Sequence, residues 1–144
     1  MSTQIGHLTL EQARAQLAAP LPNRPAAISA DEYAARLAHA RRLMREAGAD
    51  ALLVSAGMSL RYFTGIGWGA SERLVGLLLT QDGEPLLIAP NFEEGSLDAV
   101  LRIPAGKRLW EEHEAPHALV ANAMRERGAK TLALDPEAAF RIHT

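Results

Sequence analysis

Cysteine is absent from the 144 residues. That excludes a disulfide framework and any thiolate metal site, and it suits a reducing compartment, so the cytoplasm is the expected location. No stretch approaches the roughly 20 apolar residues that a membrane-spanning helix needs. The opening residues, MSTQIGHLTLEQ, carry neither the basic start nor the apolar core of a secretory signal. Neither sign of charge prevails: 15 basic against 17 acidic residues leave a formal net charge of -2, so no overall field draws the chain to nucleic acid or to an anionic membrane. Internal repeats and low-complexity tracts are missing too, apart from a general richness in alanine. What is present, 48% hydrophobic and 22% charged residues, is the balance of one soluble globular domain with a core.

Local signals divide the chain into an arm over residues 1–28 and a domain over 29–144. Thr9 and Gln12 have capping-box spacing, which predicts a short helix over 10–19 ending at Pro20. Prolines at 20, 22 and 25 keep the next stretch extended. Ser29 and Glu32 repeat the capping spacing, and Tyr33, Leu37, Ala40, Met44 and Ala47 follow at threes and fours before a stop at Gly48. The opposite face of that helix, with Arg36, Arg41, Arg42, Arg45 and Glu46, reads as solvated surface. Ala51 to Ser55 is an apolar run without alternation, the mark of a strand covered on both faces. Leu74 to Thr80 and Pro85 to Ala89 flank Asp82-Gly83 and predict a hairpin. A helix over Phe92 to Leu101, a strand over Lys107 to Trp110, a helix from Pro116 to Arg127 and a buried strand over Thr131 to Asp135 complete the pattern. Asp135-Pro136 opens a further helix that has no stop signal before Thr144, as in a piece of something longer. Helices alternating with buried strands predict an α/β fold, a mixed β-sheet flanked by helices.

Two motifs suggest chemistry. His113-Glu114-Ala115-Pro116-His117 is a literal HExxH, in which two histidines one helical turn apart chelate zinc and the glutamate activates water. Pro116 belongs at a first helical position, which leaves His113 outside the helix and separates the pair. Gly65, Gly67 and Ala70 form GxGxxA, with Glu84 near the distance of a ribose-binding acid. The dinucleotide reading needs a helix after the glycines, and here a hairpin follows. Glu93 and Glu94, and Glu111, Glu112 and Glu114, read as solvated carboxylates, and Ser55 and Ser71 lack a nucleophile elbow. No catalytic residue and no metal ligand is assigned.

The succession Leu43-Met44-Arg45-Glu46-Ala47-Gly48, Asp50-Ala51-Leu52-Leu53-Val54, Arg61-Tyr62-Phe63-Thr64-Gly65, Ser71-Glu72-Arg73, Asp82-Gly83 and Leu87-Ile88-Ala89-Pro90 resembles the amino-terminal domain of creatinase, aminopeptidase P and prolidase. Trp110 to Pro116 resembles the acidic stretch that precedes a helix in those domains, and the likeness runs over about residues 30 to 140. Ser59 stands where that family usually has asparagine. The resemblance implies a ribonuclease H-like layer followed by a pita-bread catalytic domain, absent from this chain, that carries two divalent metals. It also implies a homo-oligomer, dimer or tetramer, that acts on proline-containing peptides and lays a loop of this domain over a neighbouring subunit's active site.

The candidate loop is Gly65 to Arg73, with Trp68 and Arg73 as substrate-binding residues. Trp68 offers a flat apolar surface and Arg73 a planar charge that can grip a dipeptide's terminal carboxylate. Creatinase resembles this chain in having an arginine at the Arg73 position that reaches substrate. The alternatives are a tryptophan that packs the loop and an arginine that bridges to Glu72 or a surface acid. Two other functions stay open: a stand-alone domain binding a small ligand on the Gly65–Arg73 loop, and a zinc hydrolase using His113 and His117.

Overall fold

In a computed structural model the structure describes residues 4–20 and 25–136. A small antiparallel hairpin, β1 (Gln4–Ile5) and β2 (Leu8–Thr9), leads into α1 (Leu10–Ala18). The capping box forms as the spacing requires: the Gln12 N–H donates to Thr9 Oγ1 at 3.2 Å and the Thr9 N–H to Gln12 Oε1 at 2.9 Å. The hairpin before it has no counterpart in the sequence reading.

The domain proper starts at α2 (Ala30–Ala47), where Ser29 Oγ accepts the Glu32 N–H at 3.2 Å and Gly48 closes the helix at φ 69°. Tyr33, Leu37, Ala40 and Met44 are buried, as their spacing predicts, whereas Ala47 is exposed. Then come β3 (Ala51–Ser55), α3 (Met58–Thr64), β4 (Gly76–Thr80) and β5 (Leu86–Pro90). A 3₁₀ turn at Asn91–Glu93 runs into α4 (Glu94–Val100), followed by β6 (Gly106–Trp110), α5 (Pro116–Glu126) and β7 (Leu132–Leu134).

The five strands lie in the order β6-β5-β4-β3-β7. The β3–β4 and β4–β5 pairs are antiparallel, and the β5–β6 and β3–β7 pairs are parallel. This is the mixed sheet flanked by helices that the residue pattern implies. Both faces are covered, which is why the central strands show no polar alternation. Leu77 and Leu79 of β4 point into one core with Leu37 and Met44 of α2, Leu60 of α3 and Leu97 of α4. Leu78, between them, points into the other with Val120 and Ala123 of α5.

Several expectations change. The helix over Met58–Thr64 was not read from the sequence: it is seven residues long and its N-cap, Gly57, makes no side-chain cap. β7 is an edge strand of three half-buried residues, not the buried strand its composition suggests. The charged face of α2 is a clamp as well as a surface. Arg41 Nε donates to the Thr80 carbonyl at 3.0 Å and its Nη2 to that of Gly83, while Arg45 Nη2 donates to the Gln81 carbonyl at 2.8 Å and pairs with Asp82 at 3.1 Å. From the other layer Arg127 Nη1 donates to Thr80 Oγ1 at 3.0 Å and to the Glu84 carbonyl at 2.6 Å. Gly83 takes φ 84° in that turn, as Asp-Gly predicts. Partial burial lowers the Arg41 pKa below its ordinary value. The expected helix after Pro136, and Pro22 of the arm, lie outside the described residues.

Candidate functional site at one end of the sheet

The start of β4 and the carboxyl ends of β3, β5 and β6 share one end of the sheet, since Ser55 pairs with Gly76, Gly76 with Ile88 and Pro90 with Trp110. The Gly65–Arg73 loop crosses this end. Gly65 caps α3 at φ 81°, a conformation that favours glycine. Ile66 next to it is fully buried, and its N–H donates to Thr64 Oγ1 at 3.1 Å. The loop is therefore pinned at its root while Gly67, Gly69 and Ala70 stay exposed.

Trp68 is half-buried and packs against the core beneath α2 and α4, so only part of its ring faces outward. Arg73 follows a short turn in which Ser71 Oγ accepts the Arg73 N–H at 3.2 Å. Its guanidinium lies between segments distant in sequence. Nε and Nη2 both reach Glu112 Oε1, at 2.8 and 2.7 Å, and Nη1 reaches Glu72 Oε1 at 2.9 Å. The Phe92 ring centroid is 5.7 Å from its Cζ. The side chains of Arg73, Glu72 and Glu112 remain 43%, 78% and 60% exposed. The Glu112 hydrogen bond, with Glu112 and Glu72 charge, raises the Arg73 pKa.

The sequence reading takes Glu112 as a solvated carboxylate and Phe92 as a helix start, and pairs neither with Arg73. Both follow a strand on this end: Phe92 comes two residues after β5 and Glu112 two after β6. That placement was the signal available. Nearby, Trp110 Nε1 donates to the Leu74 carbonyl at 3.1 Å, tying the end of β6 to the entry of β4, and Asn91 Nδ2 donates to Glu111 Oε1 at 2.8 Å, tying the turn after β5 to the loop after β6. The cluster is a cation at a solvent-facing rim with an exposed aromatic beside it. Because its carboxylate partners are well solvated, exchanging one for an incoming carboxylate costs little.

The discounted motifs separate as backbone chemistry dictates. Pro116 takes the first position of α5 and His113 lies outside it, so the two histidines do not share a helical face. Glu114 is occupied, its Oε2 accepting the Glu111 N–H at 2.7 Å. After the glycines of GxGxxA comes β4, with no helix to present its N-terminus to a pyrophosphate. No group of three or more histidine, aspartate and glutamate side chains is arranged for a metal ion among the described residues. No helix of the described residues is long and apolar enough to cross a membrane.

Comparison with known proteins gives a consistent picture. The Creatinase/Prolidase N-terminal domain family matches residues 36–144. A probable dipeptidase PepE of Mycobacterium tuberculosis is 32% identical over 94 residues, 64% of this chain and 25% of that protein. An agropine synthesis cyclase of Rhizobium rhizogenes is 35% identical over 91 residues, 62% of this chain and 22% of that protein. Among solved structures, the N-terminal domain of an Xaa-Pro dipeptidase from Lactobacillus brevis superposes with a TM-score of 0.63 at 22% identity, covering 69% of this chain and 75% of that one. The chain thus spans about a quarter of the length of the curated relatives it matches.

Proposed function

Because this chain belongs to the creatinase/prolidase N-terminal domain family, we propose that it is the accessory and oligomerisation domain of a metal-dependent Xaa-Pro dipeptidase or aminopeptidase. In this reading it does not hydrolyse peptides alone. A pita-bread catalytic domain supplies the two divalent metals and the water that attacks the bond before proline. This domain helps build a dimer or tetramer and sets its Gly65–Arg73 loop over a neighbouring subunit's substrate pocket. Trp68 shapes the apolar wall, and Arg73 pairs with the carboxylate terminus of a dipeptide.

The observation that carries the reading is the state of Arg73. It is a rim cation at the sheet end, paired with Glu112 and Glu72, whose side chains are themselves largely exposed and easily displaced. A planar guanidinium can take a carboxylate with two parallel hydrogen bonds. Replacing Arg73 by alanine in the longer parent polypeptide is expected to lower kcat/KM toward Xaa-Pro dipeptides by about tenfold or more, the weight of a hydrogen bond to a charged group. Unchanged kinetics would leave Arg73 as a structural bridge to Glu112.

The likeness to a cyclase favours a second reading for the parent, in which the reaction closes a ring instead of cleaving a peptide. The loop keeps the same place in both. Cleavage of Xaa-Pro peptides by the parent would support the first reading; ring closure of a linear substrate without peptide cleavage would support the second.

A further inference from the structure

A concavity of about 670 Å³ opens beside α2 and α3, with Tyr33, Arg36, Met58, Arg61, Tyr62 and Arg102 in its lining. Its volume is that of a site for a small molecule. Three arginines meet there from separate parts of the chain: Arg36 from α2, Arg61 from α3 and Arg102 from the turn after α4. Their states differ. Arg36 is committed, with Nη2 on Glu32, Nη1 donating to the Tyr62 carbonyl at 2.7 Å and its Cζ 4.2 Å from the Tyr62 ring centroid. The Arg61 and Arg102 side chains have no ion pair or hydrogen bond among the described residues, in a domain whose other cations are mostly paired.

The local backbone brings Arg102 to the cavity. Its N–H donates to the Thr64 carbonyl at 2.9 Å. A Cβ on Gly65 would stand 2.5 Å from Arg102 Cγ and 3.0 Å from the Tyr33 hydroxyl. Glycine at 65 therefore leaves the space through which the Arg102 stem and the Tyr33 hydroxyl come together. Tyr33 is 6% exposed as a residue, and it lines the cavity. The lining also holds exposed apolar side chains: Met58 and Tyr62 are 71% and 51% exposed, and Ile28 is 45% exposed. Two uncommitted guanidiniums, a phenol and apolar side chains make a complementary surface for a negative headgroup joined to an apolar body.

We infer that this cavity binds a small organic anion, with its carboxylates on Arg61 and Arg102 and its apolar part against Met58 and Tyr62. Arg36, fixed by Glu32 and Tyr62, adds positive potential from the wall without leaving its partners.

The test titrates the folded 144-residue chain with phenylsuccinate, which carries two carboxylates and a ring, and with inorganic phosphate, by calorimetry. The expected result is saturable binding of phenylsuccinate, tighter than that of phosphate because the ring is also buried. Arg61→Gln and Arg102→Gln should each weaken it by about tenfold or more, the loss of one charge-assisted contact. Arg108→Gln, which removes a cation paired with Glu126 at 2.9 Å, should leave affinity unchanged. Circular dichroism verifies that each variant is folded, and Arg61→Lys, keeping the charge but not the fork, should recover part of the loss. Absence of saturation overturns the inference, as do glutamine variants that bind like the parent, or an equal loss in Arg108→Gln. It is also overturned if the 144-residue chain binds phenylsuccinate and a longer parent polypeptide does not, because the arginines then serve an acidic surface of the rest of the protein.

Discussion

Replacing Gly76 by alanine should destabilise the domain by an amount the structure allows one to work out. Gly76 opens β4 between Ser55 of β3 and Ile88 of β5. A Cβ there would lie 2.6 Å from the carbonyl oxygen of Val54, with Val54 C at 3.5 Å and Leu53 Cδ1 at 3.6 Å. The obstructing atom is backbone inside a ladder, so no side-chain rotation relieves it and the strands must part. Overpacking of this kind costs about 1–3 kcal/mol, slightly offset because alanine loses less conformational entropy on folding than glycine. For a chain of this size each kcal/mol moves Tm by about 3–4 °C, so a fall of about 3–10 °C is expected. Gly67→Ala is the matched control: its Cβ would meet nothing within 4 Å and its φ is not positive, so it should be neutral or gain up to about 1 kcal/mol. Urea and thermal unfolding followed by fluorescence of Trp68 and Trp110 would measure both. Gly76→Ala as stable as the parent chain, or Gly67→Ala falling equally, would refute the reasoning. The same shift would displace the entry of β4 and with it Arg73, so the variant also tests how rigidly the rim cation is held.

Asp50 offers a pH test. Its carboxylate accepts the N–H groups of Lys130 and Thr131, at 2.8 and 2.9 Å, and these bonds, Lys130 first, hold its pKa below the usual carboxylate value. With the folded pKa depressed, its contribution is fully present above the unfolded pKa of about 3.9 and is lost as pH falls through the lower folded value. Urea midpoints measured down the acid range should show this component in the parent chain and lack it in Asp50→Asn; superimposable profiles would refute it. Trp110→Phe removes the indole N–H from the Leu74 carbonyl and should cost about 1–3 kcal/mol in urea unfolding. No change in midpoint would show that this bond does not hold the β6 end to β4.

Much of the fold was legible because its signals are local. The Ser29 cap, the spacing of Tyr33, Leu37, Ala40 and Met44, and the left-handed glycine at 48 are all interactions within a turn or two of one helix. Asp82-Gly83 marks its hairpin for the same reason, since Gly83 itself takes the positive φ. α3 escaped because a helix of seven residues after an uncapping glycine has too little periodicity to detect. At the candidate site, Trp68 and Arg73 were visible as residue types in a glycine-rich loop, but Glu112 lies 39 residues further along from Arg73. Nothing in either segment names the other.

By itself, then, the sequence determined the element pattern apart from α3 and the β1–β2 hairpin, the two-sided burial of β3 to β5, the failure of HExxH at Pro116 and the likeness to the creatinase and prolidase domain. Tertiary structure decided which charges are partnered. Six arginines of α2 and its surroundings look equivalent along the chain, yet Arg41 and Arg45 clamp the β4–β5 turn, Arg42 pairs with Glu46, Arg36 stacks on Tyr62, and Arg61 and Arg102 face a cavity without partners among the described residues. Strand order likewise made β7 a half-buried edge despite its apolar composition. Helix caps and apolar periods are settled by neighbours three or four residues away, whereas the partner of a guanidinium and the cover over a strand depend on segments that only folding brings together.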